Sequence, residues 1–161
     1  MFLFVATIVL LFVVLYLSYK PTSLVHQLSY MKRIAFDSSV QAPPGSTITV
    51  SVGPKEPGFI GEGKGGPVGY YVTVKDKDKL IVPKVQTNEL ILQKNSSYYL
   101  QRDQRDSHPM ILSSTSLGTR KDALPNQQEF FEKEIQTNSL PSTFYISCAN
   151  HPYMGFKVIV Q

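Results

Sequence analysis

The sequence predicts an all-β domain, an antiparallel sandwich or barrel, behind an N-terminal transmembrane helix. From residue 47 onward, eight short runs rich in β-branched and aromatic residues alternate with turn formers: TITVSV, GYYVTV, KLIVPKV, ELILQ, SYYLQ, MILSS, TFYIS and FKVIV. No long helical pattern separates them, which is the signature of a sandwich or barrel. Residues 2–17, by contrast, are apolar and uncharged. At about 1.5 Å per residue, a helix of that run nearly crosses a hydrocarbon core about 30 Å thick. The 161 residues suit one domain with a sizeable core rather than two. The expected organisation is a membrane anchor at 1–19, a juxtamembrane linker at 20–46 and a β domain at 47–161.

The apolar run lacks a basic residue before it and a small-x-small cleavage pattern after it, which favours a retained anchor over a secretory signal. A single-pass protein embedded in a lipid bilayer through residues 1–19 follows. Its orientation stays open, because Lys20, Lys32 and Arg33 would hold the C-terminal domain on the cytoplasmic side, whereas the NSS triplet at Asn95 is an acceptor pattern of the lumenal side. Within the linker, residues 22–36 carry apolar positions at helical spacing, consistent with a short amphipathic helix at the membrane surface, ended by Pro43, Pro44 and Gly45.

In the β region, GPKEPGFIGEGKGGPVG at residues 53–69 holds most of the glycines, and Gly61, Gly63 and Gly66 satisfy G-x-G-x-x-G. A dinucleotide fingerprint needs a helix directly after it, and Pro67, Val68 and Gly69 lead into a strand instead. Lys64 is not followed by Ser or Thr, so a P-loop fails too, and the stretch is expected to be a flexible loop. KDKDK at 75–79 is expected to be a solvated hairpin turn, and EFFEKEI at 129–135 is ambiguous between helix and half-buried strand, with Glu129, Glu132 and Glu134 on a solvated face. The charge of +4 is mild and its basic residues are scattered, so nothing supports nucleic-acid binding. With three histidines in the chain, no Ser-His-Asp arrangement stands out, and no enzymatic activity is expected.

The chemistry is concentrated at the C-terminus. In TFYISCANHPYMGFKVIV a strand delivers Cys148, the chain's one cysteine, and a short loop then carries His151 and Met154. Thiolate, imidazole and thioether are soft donors suited to copper. A fourth donor is His108 in DSHPMILSS, at the start of an earlier strand. Two imidazoles and a thiolate in a plane, with a weak axial thioether, is the blue-copper arrangement.

The C-x-x-H-x-x-M-G loop after an aromatic strand, with the upstream HP, resembles the cupredoxins, and the short loop is most similar to the amicyanin or plastocyanin kind. The resemblance covers roughly residues 47–161. It implies an eight-stranded Greek-key β-sandwich, one type 1 copper held by His108, Cys148, His151 and Met154, and outer-sphere transfer of single electrons. Docking of a redox protein is expected at His151, Pro152 and Tyr153, which would surround the solvent-facing edge of the site. The anchor, the glycine-rich insertion and residues 115–138 depart from the minimal family pattern.

A dinuclear copper centre would need two cysteines, and a multicopper oxidase H-x-H pairs; neither is present. A structural zinc site would leave Met154 unexplained. Two other functional classes stand beside electron carriage. One is a copper-free or copper-optional β-sandwich that links a membrane, a virion membrane included, to a coat or viral shell as an assembly partner. The other is a copper carrier.

Overall fold

The structure, a computed structural model, describes residues 36–103, 107–116, 118, 120–125 and 130–161. The expected anchor, the amphipathic helix and most of the linker fall outside these. Among the described residues, no helix is long and apolar enough to cross a membrane.

Alternation writes the strands. In Thr47–Pro54, Ile48 and Val50 are buried two residues apart; in Thr143–Cys148, Phe144, Ile146 and Cys148 are buried; in Phe156–Val160, Phe156, Val158 and Val160 are buried. A strand's side chains point alternately to its two faces, so this spacing puts one face of each strand in the core. Nine strands form among the described residues: β1 (Phe36–Gln41), β2 (Thr47–Pro54), β3 (Val68–Asp76), β4 (Lys79–Leu92), β5 (Ser97–Arg102), β6 (Met110–Ser113), β7 (Lys133–Gln136), β8 (Thr143–Cys148) and β9 (Phe156–Val160). They join in the order β6-β8-β9-β4-β3-β2-β5-β7, with β1 also on β4. Single 3-10 turns lie at Arg120–Asp122 and Thr137–Ser139.

The long β4 organises the molecule. Strand β3 starts beside the C-terminal loop, where the Tyr70 N–H donates to the Met154 carbonyl at 2.8 Å, and runs away from it. The first part of β4 is antiparallel to β3, with Asp76 opposite Lys79 and Tyr71 opposite Gln86, so it returns toward the loop. Its last part is parallel to β9, with Glu89 opposite Lys157 and Leu92 opposite Val160, so it leaves again. The β3 pairing ends and the β9 pairing begins around Gln86, Thr87 and Asn88, so one continuous strand joins the two halves of the sheet. One core fills the fold: Ile48, Val50, Tyr70 and Leu100 from one half meet Leu112, Phe144, Ile146 and Val158 from the other.

Several features differ from the sequence reading. Strand β1 lies within the span read as linker, and its pairing with β4 carries Val40 and the following Ala42 into the core. KLIVPKV and ELILQ are one continuous strand that changes neighbours, from β3 to β9, not two strands. The ambiguous EFFEKEI contributes β7, in which Ile135 is buried and Glu134 exposed. The pairing is mixed, not antiparallel throughout, because β1–β4, β2–β5 and β4–β9 are parallel pairs brought together by crossovers. KDKDK is a hairpin turn as expected, with Lys77 in the left-handed region at φ 53°.

The glycine-rich segment is not a loose loop. It is tied to the middle of β4 by buried Gln86, whose side-chain carbonyl accepts the Glu56 N–H at 2.6 Å, and by Asn88, which accepts the Ile60 N–H at 2.6 Å and donates to the Gly58 carbonyl at 3.1 Å. The Tyr71 hydroxyl lies 2.6 Å from the Pro54 carbonyl and 3.0 Å from the Glu56 carboxylate, and Phe59 is buried beneath the lobe. Amide side chains supply both a donor and an acceptor, so one Asn can bond two peptide groups of the lobe at once.

Candidate metal centre

Two segments far apart in sequence are zipped together at one end of the fold. Strands β6 and β8 pair antiparallel with Met110 opposite Cys148, and the Ala149 N–H adds one further bond to the Pro109 carbonyl at 2.9 Å. His108 stands just before Pro109, and His151 three residues after Cys148, so the same ladder that registers the strands brings both imidazoles to the thiol.

The three donor atoms form a compact triangle. His108 Nδ1 and His151 Nδ1 are 3.2 Å apart, and Cys148 Sγ lies 3.5 Å from His151 Nδ1 and 3.8 Å from His108 Nδ1. The rings stand at 61° to one another with centroids 5.0 Å apart. Both histidines turn the same nitrogen, Nδ1, inward. The point equidistant from three atoms at these separations lies about 2.0 Å from each, against typical lengths of about 2.0–2.1 Å for metal–imidazole and about 2.3 Å for metal–thiolate bonds. His108, Cys148 and His151 thus form a group able to hold a metal ion.

Exposure is graded across the group. Cys148 is fully buried at the end of β8, His108 is half-buried, and His151 is exposed with Pro152 beside it. Tyr153 is half-buried and sits at φ 60°, a left-handed conformation that a non-glycine residue adopts at a cost of about 1 kcal/mol or more. Met154 is buried in the same core cluster as Cys148 and Phe156, and its carbonyl is the acceptor for Tyr70. Gly155 follows because nothing larger fits: a Cβ there would lie 1.9 Å from the Ile146 carbonyl oxygen.

Sequence reasoning missed the supports of this loop: the Pro109 carbonyl, the Tyr70 N–H, and Gly61 and Gly65 of the glycine-rich lobe, which approach the backbone of Tyr153 and Pro152. The concentration of glycine in residues 53–69 was their one visible signal. Of the other residues weighed for chemistry, Glu132 bonds the backbone N–H of Arg102 at 2.8 Å and pairs with its guanidinium at 3.6 Å, a structural role.

No family model and no curated protein matches the chain. Among solved structures it is similar to the McoA multicopper oxidase from the hyperthermophile Aquifex aeolicus, at 11% identity and a TM-score of 0.36. That likeness covers 77% of this chain and 28% of the oxidase, so the chain spans little more than a quarter of that protein. At such a distance the fold and the site rest on this chain's own residues.

Proposed function

We propose that this chain is a cupredoxin-like, membrane-anchored protein that holds one type 1 copper ion and carries single electrons. The observation that supports this reading is the donor triangle, in which a buried thiol and two Nδ1 atoms meet at separations that suit a transition-metal ion. Cys148, His108 and His151 would be the strong ligands, and Met154 the weak axial one. Thiolate and thioether favour copper over harder ions, and zinc would leave the Met154 thioether without a use.

Bound copper supplies a one-electron couple. The protein's part is to keep the donors in place and the site dry. Cys148 is held by the β6–β8 ladder and fully buried within the core cluster, so water is excluded from the thiol side. His151 supplies the contact with solvent, and a redox protein docking over His151, Pro152 and Tyr153 would reach the site through that ring. Residues 1–19, apolar enough to enter a bilayer, would keep the domain at a membrane where its partners are met.

The test uses the full chain in a mild detergent, titrated with Cu(II). The expected result is an intense visible band from thiolate-to-copper charge transfer, with the narrow copper hyperfine splitting of a type 1 site in EPR, both lost in Cys148→Ser. A colourless wild type, or an unchanged spectrum in Cys148→Ser, sinks the proposal.

A further inference from the structure

The glycine-rich lobe between β2 and β3 lies against the loop that carries His151 and Met154. A Cβ on Gly61 would lie 2.2 Å from the Tyr153 carbonyl oxygen, and one on Gly65 would lie 2.6 Å from the Pro152 carbonyl oxygen. Neither acceptor belongs to a flexible side-chain tip; both are backbone of the donor loop, so either the lobe or the loop would have to move. From the other side, the Tyr70 N–H holds the Met154 carbonyl at 2.8 Å. The lobe in turn cannot swing freely, because Asn88 and Gln86 in the middle of β4 bond Ile60, Gly58 and Glu56.

From this geometry we infer that the lobe is a positioning element for the donor loop. Gly61 and Gly65 let it press on the Pro152–Tyr153 backbone, Asn88 fixes it to β4, and together they set where His151 and Met154 stand relative to Cys148. Tyr153 remains in its left-handed conformation because the lobe on one side and Tyr70 on the other leave its peptide no room to relax. The nucleotide-like glycine pattern is thereby given a use: close backbone approach, with a protein loop in place of a phosphate.

The lobe supplies its own controls. Gly63 and Gly65 share the left-handed conformation, at φ 70° and 63°, but a Cβ on Gly63 meets nothing within 4 Å. The difference between Gly63→Ala and Gly65→Ala therefore isolates the contact from the cost of the backbone angle. Gly66 has neither positive φ nor a close neighbour, so Gly66→Ala is a neutral control.

The inference rests on the copper reading for one of its two measurements. In the full-length protein without metal, the rate at which dithionitrobenzoate reacts with Cys148 reports how often the loop opens. Gly61→Ala, Gly65→Ala and Asn88→Ala are expected to raise that rate about tenfold, while Gly63→Ala and Gly66→Ala stay near wild type. With Cu(II), the same three variants are expected to shift or broaden the charge-transfer band and the EPR signal, and the two controls to leave both alone. Asn88→Ala adds no bulk and carries the test if an alanine at 61 or 65 prevents folding. Thiol rates in all three lobe variants equal to those of the controls overturn the inference, whether or not copper binds. A colourless wild type together with the expected thiol pattern would overturn the copper reading and leave the positioning role standing.

Discussion

Cys148 ends a strand whose alternate residues are all core, so burial by itself would make it an ordinary small apolar residue. What sets it apart is that two imidazole nitrogens from different segments face its sulfur. Met154 is the complementary case, since its burial alone is equally consistent with core packing. Met154→Leu separates the two roles, because the swap nearly conserves volume and costs less than about 1.5 kcal/mol of stability. If Met154 is the axial donor, the variant keeps its visible band while the potential, followed by redox titration, rises: a lost donor weakens the more highly charged Cu(II) more than Cu(I). An unchanged potential would return Met154 to the core alone.

Elements matter here through where they meet. The β6–β8 ladder registers two of the donors, and the middle of β4 supplies the amides that hold the glycine-rich lobe. Gln86→Leu would keep the bulk of that buried side chain while removing its bonds to Glu56 and Pro54. Leaving the half-buried Glu56 N–H without this partner costs about 1 kcal/mol, so the denaturation midpoint in urea is expected to fall accordingly. A midpoint equal to wild type would mean that the lobe draws its order from elsewhere.

Among the described residues one core is shared by both halves of the sheet, and buried tyrosines link its stability to pH. Burial is the main cause holding the Tyr71 hydroxyl well above the ordinary range, helped by its hydrogen bond to Glu56 and that carboxylate's charge. Burial also raises Tyr98, partly offset by the hydrogen bond it accepts from the Gln93 N–H. Both groups keep their protons in the folded state at a pH where the unfolded chain loses them. Their contribution to stability is complete below the ordinary tyrosine pKa of about 10 and is lost as pH rises through the higher folded values. Denaturation midpoints are thus expected to fall steeply above about pH 10, and Tyr71→Phe to flatten that fall; parallel curves for the two proteins would contradict it.

The strands with clean alternation were legible in sequence, from TITVSV to FKVIV, because a period of two is a local property. Strand β1, FDSSVQ, was not: Val40 is the one aliphatic residue between Phe36 and Gln41, and pairing with β4 is what makes it a strand. The continuity of β4 was equally hidden, since it depends on which neighbours each part of the strand meets.

By itself, then, the sequence determined an all-β domain and a set of soft donors, His108, Cys148, His151 and Met154, on segments of strand and loop. Only the tertiary structure decided that His108, forty residues before Cys148, turns its Nδ1 toward that sulfur, and that the glycines once weighed for a nucleotide lie against the donor loop. The physical reason is the same in both cases. Residue type and spacing govern what a segment can do, whereas convergence of distant segments is the product of register and packing across the whole sheet.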